Sequence, residues 1–98
     1  MNKSELITKV ARDTYLTKDV VERVLKSIIS NVISEVSGGN QVKIVDFGTF
    51  KPVKRNSRTG NNINTGEHVN IPERYLPKFY PGKLFKDTVN DKLMQEGL

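Results

Sequence analysis

The sequence predicts an α+β fold completed by a second subunit: a helical hairpin, three antiparallel strands carrying a long basic arm, and a C-terminal helix. Three observations predict it. Apolar residues recur with a helical period over residues 1–40, the period shortens to two from residue 41, and the second helix has an apolar surface too wide for one small sheet to cover. A chain of 98 residues makes one domain, 1–98, with a helical dimerisation part over 1–40, a sheet over 41–80 whose arm spans about 54–70, and a C-terminal helix over 81–94. Such a chain buries only about 60–65% of the surface its unfolded form exposes, so its core is thin. Cysteine is absent, which excludes disulfides, a thiolate nucleophile and a zinc finger and leaves association as the remaining source of burial.

Asn2 followed three residues later by Glu5 has the form of a capping box, and Leu6, Ile7, Val10 and Ala11 recur at helical spacing, so a first helix ends near Asp13. Thr17 is placed to cap a second helix, with Asp19 and Glu22 in its first turns, where the helix dipole favours anions. Val20, Val21, Val24, Leu25, Ile28, Ile29, Val32, Ile33 and Val36 follow, and Gly38-Gly39-Asn40 stops the helix. These positions sweep roughly 220° of the helix circumference. One chain could bury such a helix on two sides, but with few other large apolar residues available a second subunit is the better source of one side.

Residues 41–50 alternate around Val42 and Ile44 and then Val45, Phe47 and Phe50, with Asp46 and Gly48 as points of turn or bulge, and read as one hairpin. A further strand is expected over 74–80, carrying Tyr75 and Phe79, and Pro72 and Pro77 restrict it to an edge or to interrupted pairing. Pro81-Gly82 then opens a last helix in which Phe85, Val89 and Leu93 fall four apart, flanked by Lys83, Lys86 and Asp87.

The net charge is +5, from sixteen Lys and Arg against eleven Asp and Glu, and the excess lies in the middle of the chain. From residue 51 to residue 66 the cations Lys51, Lys54, Arg55 and Arg58 meet no acid. Alone, such a run is most often a solvated loop. Here residues 54–70 hold only two apolar side chains, Ile63 and Val69, around a turn at Gly60-Asn61-Asn62. A ribbon at this place has no core of its own, and a basic, coreless arm on a dimer is a device for gripping a polyanion from both sides.

Catalytic chemistry finds little support. The single histidine, His68, stands beside Glu67, and neighbours along a strand point to opposite faces. Gly82-Lys83 lacks the upstream glycine and the following Ser or Thr of a phosphate loop, and Asp13, Asp46, Glu67 and Asp87 are scattered rather than clustered. No cofactor, metal or small-molecule substrate is expected. The polar first residues and apolar stretches no longer than pairs give no signal peptide and no membrane span, so the expected location is cytoplasmic with no membrane partner.

Asp46-Phe47-Gly48-Thr49-Phe50, Arg55, Arg58-Thr59-Gly60, Asn62, Thr65-Gly66-Glu67, Ile71-Pro72, Pro77, Phe79 and Pro81-Gly82-Lys83 through Lys86-Asp87 together resemble the HU and integration-host-factor family of bacterial histone-like proteins that bend DNA. The resemblance runs without gaps from Met1 to about Asn90. It implies an intertwined dimer of helical hairpins, with an identical chain or a paralogue as partner, whose two β-arms embrace double-stranded DNA along the minor groove. By the resemblance Val32, Phe47, Phe50 and Phe79 belong to the dimer core. Lys54, Arg55, Arg58, Asn61, Asn62, Ile63 and Thr65 are implied as arm residues on DNA. Lys83 and Lys86 look like flank contacts on a helix whose free N-terminal amides also attract phosphate, and Lys3 either joins them or is ordinary surface charge.

The departures from the family pattern bear on how DNA is deformed. Family members usually carry Gly-Arg-Asn-Pro at the arm tip, where the proline wedges between base pairs; here Gly60-Asn61-Asn62-Ile63 stands in its place, with Ile63 as the apolar wedge. Position 53, often basic, is Val53, and Tyr80 occupies a position often taken by lysine. The expected function is a homodimeric, non-enzymatic nucleoid protein that binds duplex DNA through the minor groove with little sequence specificity, favours bent, nicked or distorted forms, and bends or compacts it. Its rivals are a site-specific bending factor of the integration-host-factor type, selecting by DNA deformability, and a dimeric interaction protein whose arms hold a protein or RNA.

Overall fold

The structure, a computed structural model, describes residues 1–61, 66 and 68–97, with residues 58–61 and 68–70 described by their backbone. It divides into two compact units, Met1–Ser34 and Glu35–Leu98.

In the first unit, Asn2 Oδ1 accepts the backbone N–H of Glu5 at 2.9 Å and opens α1, Lys3–Thr14. Tyr15, at φ 59°, ends it in the left-handed conformation that glycine usually supplies. Thr17 Oγ1 then accepts the N–H of Val20 at 3.3 Å at the start of α2, Lys18–Ser37. Ile7, Ala11 and Val21 form a small buried core, with Val10 and Leu25 packed against it. The rest of the wide apolar sweep is open in the single chain: Val24 is 52% exposed and Ile33 61%. On α2 only the stripe of Val21, Leu25, Val32 and Val36 is buried or half-buried in the single chain.

In the second unit, α2 ends in a Schellman closure: the N–H of Asn40 reaches the Glu35 carbonyl at 3.0 Å and that of Gly39 reaches Val36, with Gly39 at φ 88°. Next comes the expected hairpin, β1 (Val42–Ile44) and β2 (Gly48–Arg55), joined by a turn in which Asp46 sits at φ 69°. β3 (Arg58–Asn61) and β4 (His68–Ile71) pair with one another as a separate two-stranded ribbon, and β5 (Arg74–Pro81) returns to β2. The order β1-β2-β5 is antiparallel throughout and leaves β5 at an edge, as its prolines required. Lys54 and Arg55, read from the sequence as the root of the arm, fall in β2 within this sheet. α3 (Lys83–Gln95) follows Gly82, whose N–H is held by the Phe47 carbonyl at 2.8 Å, so the helix starts against the hairpin turn.

The register explains where the prolines stand. Pro52 lies opposite Pro77, and Pro81 opposite Gly48, so all three occupy rungs of one parity. Antiparallel rungs alternate between bonded and non-bonded pairs, and placing the prolines on the non-bonded set removes no donor from the ladder between β2 and β5. β1 pairs only as far as Phe50, so Pro52 has no neighbour on its other side to disappoint.

Candidate nucleic-acid interface

Because side chains alternate along a strand, the register assigns each to one of two sheet faces. Phe50 and Phe79 are opposite each other, with ring centroids 4.7 Å apart, and Phe47 and Phe85 complete an aromatic group in which Phe47 lies 5.2 Å from Phe79 and 5.5 Å from Phe85. This is the apolar face. Three of the residues expected in a dimer core, Phe47, Phe50 and Phe79, meet here within one chain, yet Phe47 remains 42% exposed and Phe79 36%. The fourth, Val32, lies on α2 and is half-buried. α3 presents Phe85, Val89 and Leu93 at the expected spacing, each partly exposed.

The opposite face carries Lys43 from β1, Lys51, Val53 and Arg55 from β2, and Arg74, Leu76, Lys78 and Tyr80 from β5. No acid occurs in these three strands. The face is thus built of cationic rungs, Lys51 opposite Lys78 and Arg55 opposite Arg74, with the apolar rung of Val53 and Leu76 between them. Lys51 Nζ stands 5.0 Å from the centroid of the Tyr80 ring, a cation–π contact that confirms the shared face. The two positions where the family resemblance expects cations, 53 and 80, are Val and Tyr; the same face carries lysine two residues along each strand instead, at 51 and 78.

The residues singled out from sequence distribute as follows. Arg55 lies on the cationic face. Lys54 lies on the other, with its ammonium 3.4 Å from Glu73. Arg58 and Asn61 are the first and last residues of β3, opposite Ile71 and His68 on the arm ladder. Asn62, Ile63 and Thr65 lie outside the described residues. Lys83 begins α3 and is 2.7 Å from Asp87; Lys86, one turn further, has no carboxylate within 4.0 Å among the described residues. Gly82 contributes no side-chain cap, which leaves the first amides of α3 available to an acceptor. Lys3, in the first unit, is 3.9 Å from Glu22. Sequence reasoning missed Lys43, Arg74 and Lys78, and took Lys51 only as part of a run. Their common face follows from pairing across the arm, which a period-two count anchored on Phe50 and Phe79 would have exposed.

Among the described residues no group of three His, Cys, Asp or Glu could hold a metal, and no helix is long and apolar enough to cross a membrane. Residues 1–90 match the family described as Bacterial DNA-binding protein. The chain is 46% identical over 90 residues to DNA-binding protein HU of Clostridium pasteurianum, covering 92% of this chain and 99% of that one. It is 39% identical over 98 residues to integration host factor subunit beta of Saccharophagus degradans, covering 99% and 100%. The fold is similar to that of HU from Anabaena in a cocrystal with DNA, with a TM-score of 0.84 and 39% identity over 91% of this chain and 97% of that one.

Proposed function

The chain belongs to the bacterial DNA-binding protein family, and from that membership we propose that it binds duplex DNA as a dimer, laying phosphates across the cationic sheet face while the arms follow the minor groove. It is a nucleoid-associated architectural protein of the HU type. The observation that carries the proposed geometry is the acid-free face formed by Lys43, Lys51, Arg55, Arg74 and Lys78, which runs toward the ladder of β3 and β4.

The physics is that of counterion release. Each phosphate neutralised by a lysine or arginine frees condensed cations, so affinity comes largely from the DNA backbone and falls steeply with salt. Phosphate contacts carry no sequence information, which accounts for low specificity. Neutralising one side of a duplex while Ile63 enters a base step would bend it, and a nick or pre-existing distortion removes part of that deformation energy. The open stripe of Val24, Ile28, Ile29 and Ile33 on α2 is the surface a second copy covers, since exposed apolar area of this extent favours association. This reading places the protein in the cytoplasm on the chromosome, without membrane partner, cofactor or small-molecule substrate.

Competition gel shifts with intact duplex, nicked duplex and double-stranded RNA test the reading. Nicked duplex should compete best and RNA worst. Equal competition by RNA would instead favour an interaction protein with repurposed arms. A footprint confined to one site would favour the integration-host-factor type, a second reading supported by a relative of that type that matches 99% of this chain.

A further inference from the structure

We propose that Arg55 and Arg74 form a clamp that holds a single backbone phosphate at the root of the arm, so that Arg74 is a DNA-binding residue in its own right. The proposal rests on the DNA-binding reading above and assigns it a subsite.

Arg55 and Arg74 face each other on the last rung of the β2 and β5 ladder, before the pairing breaks at residues 56–57 and 72–73 and resumes at Arg58 opposite Ile71. Their rung shares the parity that carries the ladder's hydrogen bonds, which sets their Cα atoms about 5.5 Å apart. Like charges directly opposite on one face destabilise a sheet. Some exposed cations of the chain have a local partner: Lys3 has Glu22, Lys9 has Asp13, Lys54 has Glu73, Lys83 has Asp87, and Lys51 has the face of Tyr80. At the arginine rung no carboxylate lies within 4.0 Å among the described residues. The nearest acid in sequence, Glu73, adjoins Arg74 but is engaged by Lys54 on the opposite face. Two planar guanidiniums with donors facing one solvent-open rung need an acceptor that both can share. A phosphodiester, with two anionic oxygens, fits this demand better than a carboxylate of the chain, because it adds no acid to a surface that must repel none of its ligand.

The clamp predicts opposite signs for folding and for binding. In the intact chain, without DNA, Arg74→Gln relieves the like-charge rung and should raise the thermal midpoint by roughly 1–4 °C. The same substitution should weaken binding to a 20-base-pair duplex roughly 10-fold, the loss of one charge-assisted contact. Because both arginines serve one phosphate, Arg55→Gln and Arg74→Gln singly should leave the log-log salt slope near that of the parent. The double variant should lower it by about 0.9 per clamp. Unchanged affinity in Arg74→Gln would overturn the clamp while leaving DNA binding intact. So would single losses that multiply in the double variant with a slope decrease at each step, which would mark two separate contacts. A parent protein with no salt-dependent binding to duplex would overturn the DNA reading itself, and the clamp with it.

Discussion

Gly48 opens β2 directly beneath the aromatic group, and replacing it with alanine tests how tight that packing is. A Cβ built there would lie 2.6 Å from two atoms of the Phe79 ring and 2.7 Å from the Tyr80 carbonyl oxygen. Ordinary contact begins at 3.4 Å, so the ring must retreat by about 0.8 Å. It cannot do so freely, since the Phe50 centroid stands 4.7 Å and the Phe47 centroid 5.2 Å away. The carbonyl belongs to the backbone of β5 and moves only with the strand. Overpacking a close-packed site costs typically 1–3 kcal/mol, and with one contact to backbone Gly48→Ala belongs at the upper end, about 2–3 kcal/mol. For a domain of this size that lowers the thermal midpoint by roughly 10–20 °C. Thermal unfolding followed by circular dichroism at fixed protein concentration measures it. Phe79→Leu in the same background should recover part of the loss, with the pair non-additive. A midpoint within about 2 °C of the parent would refute the reasoning and mean that Phe79 has room to give.

Ile33, the most exposed of the α2 isoleucines at 61%, should be buried by a second copy, so Ile33→Glu is expected to produce an unfolded chain or one that needs far higher concentration to fold; a folded monomer of the parent in micromolar sedimentation would contradict this. Charge reversal at Arg55 or Arg58 should weaken binding to most sequences alike, from a parental log-log salt slope of about −5 to −9, measured by fluorescence anisotropy across salt concentrations. Ile63→Ala should leave binding but flatten the bend and strengthen the preference for nicked DNA, read by energy transfer between duplex ends; a bend as sharp as the parent's would remove Ile63 as the wedge. Asp46→Gly should stabilise the fold by about 0.5–1 kcal/mol in denaturant titration, because a residue at φ 69° carries a left-handed penalty that glycine avoids.

The helices were legible in the sequence because their boundaries are local. Asn2, Thr17 and the Gly38-Gly39 pair act on backbone groups within a turn of themselves. The hairpin was legible for the same reason. The end of α1, expected near Asp13, falls at Thr14; what the sequence did not announce is its cap, since Tyr15 does the work of a glycine. The interface was half legible. Composition pointed to a basic region and to Arg55, but a sheet face exists only once two strands are in register, and Arg74 and Lys78 lie beyond the arm from their partners. The same limit put Lys54 and Arg55 together as neighbours, although they serve opposite faces and only Lys54 has an ion-pair partner among the described residues.

The parity of the prolines has a consequence for a protein that works crowded along a chromosome. In β5 the backbone groups that do not face β2 are those of Tyr75, Pro77, Phe79 and Pro81, and two of these four have no N–H to offer. A further strand approaching that border from another molecule would find a broken row of donors, with Lys78 adding charge at the centre. The β5 border is therefore closed to growth by addition. Copies can gather at high density on a polyanion without templating one another through β5, and Pro77→Thr, which restores a donor at the middle of that border, is the substitution that would reopen it.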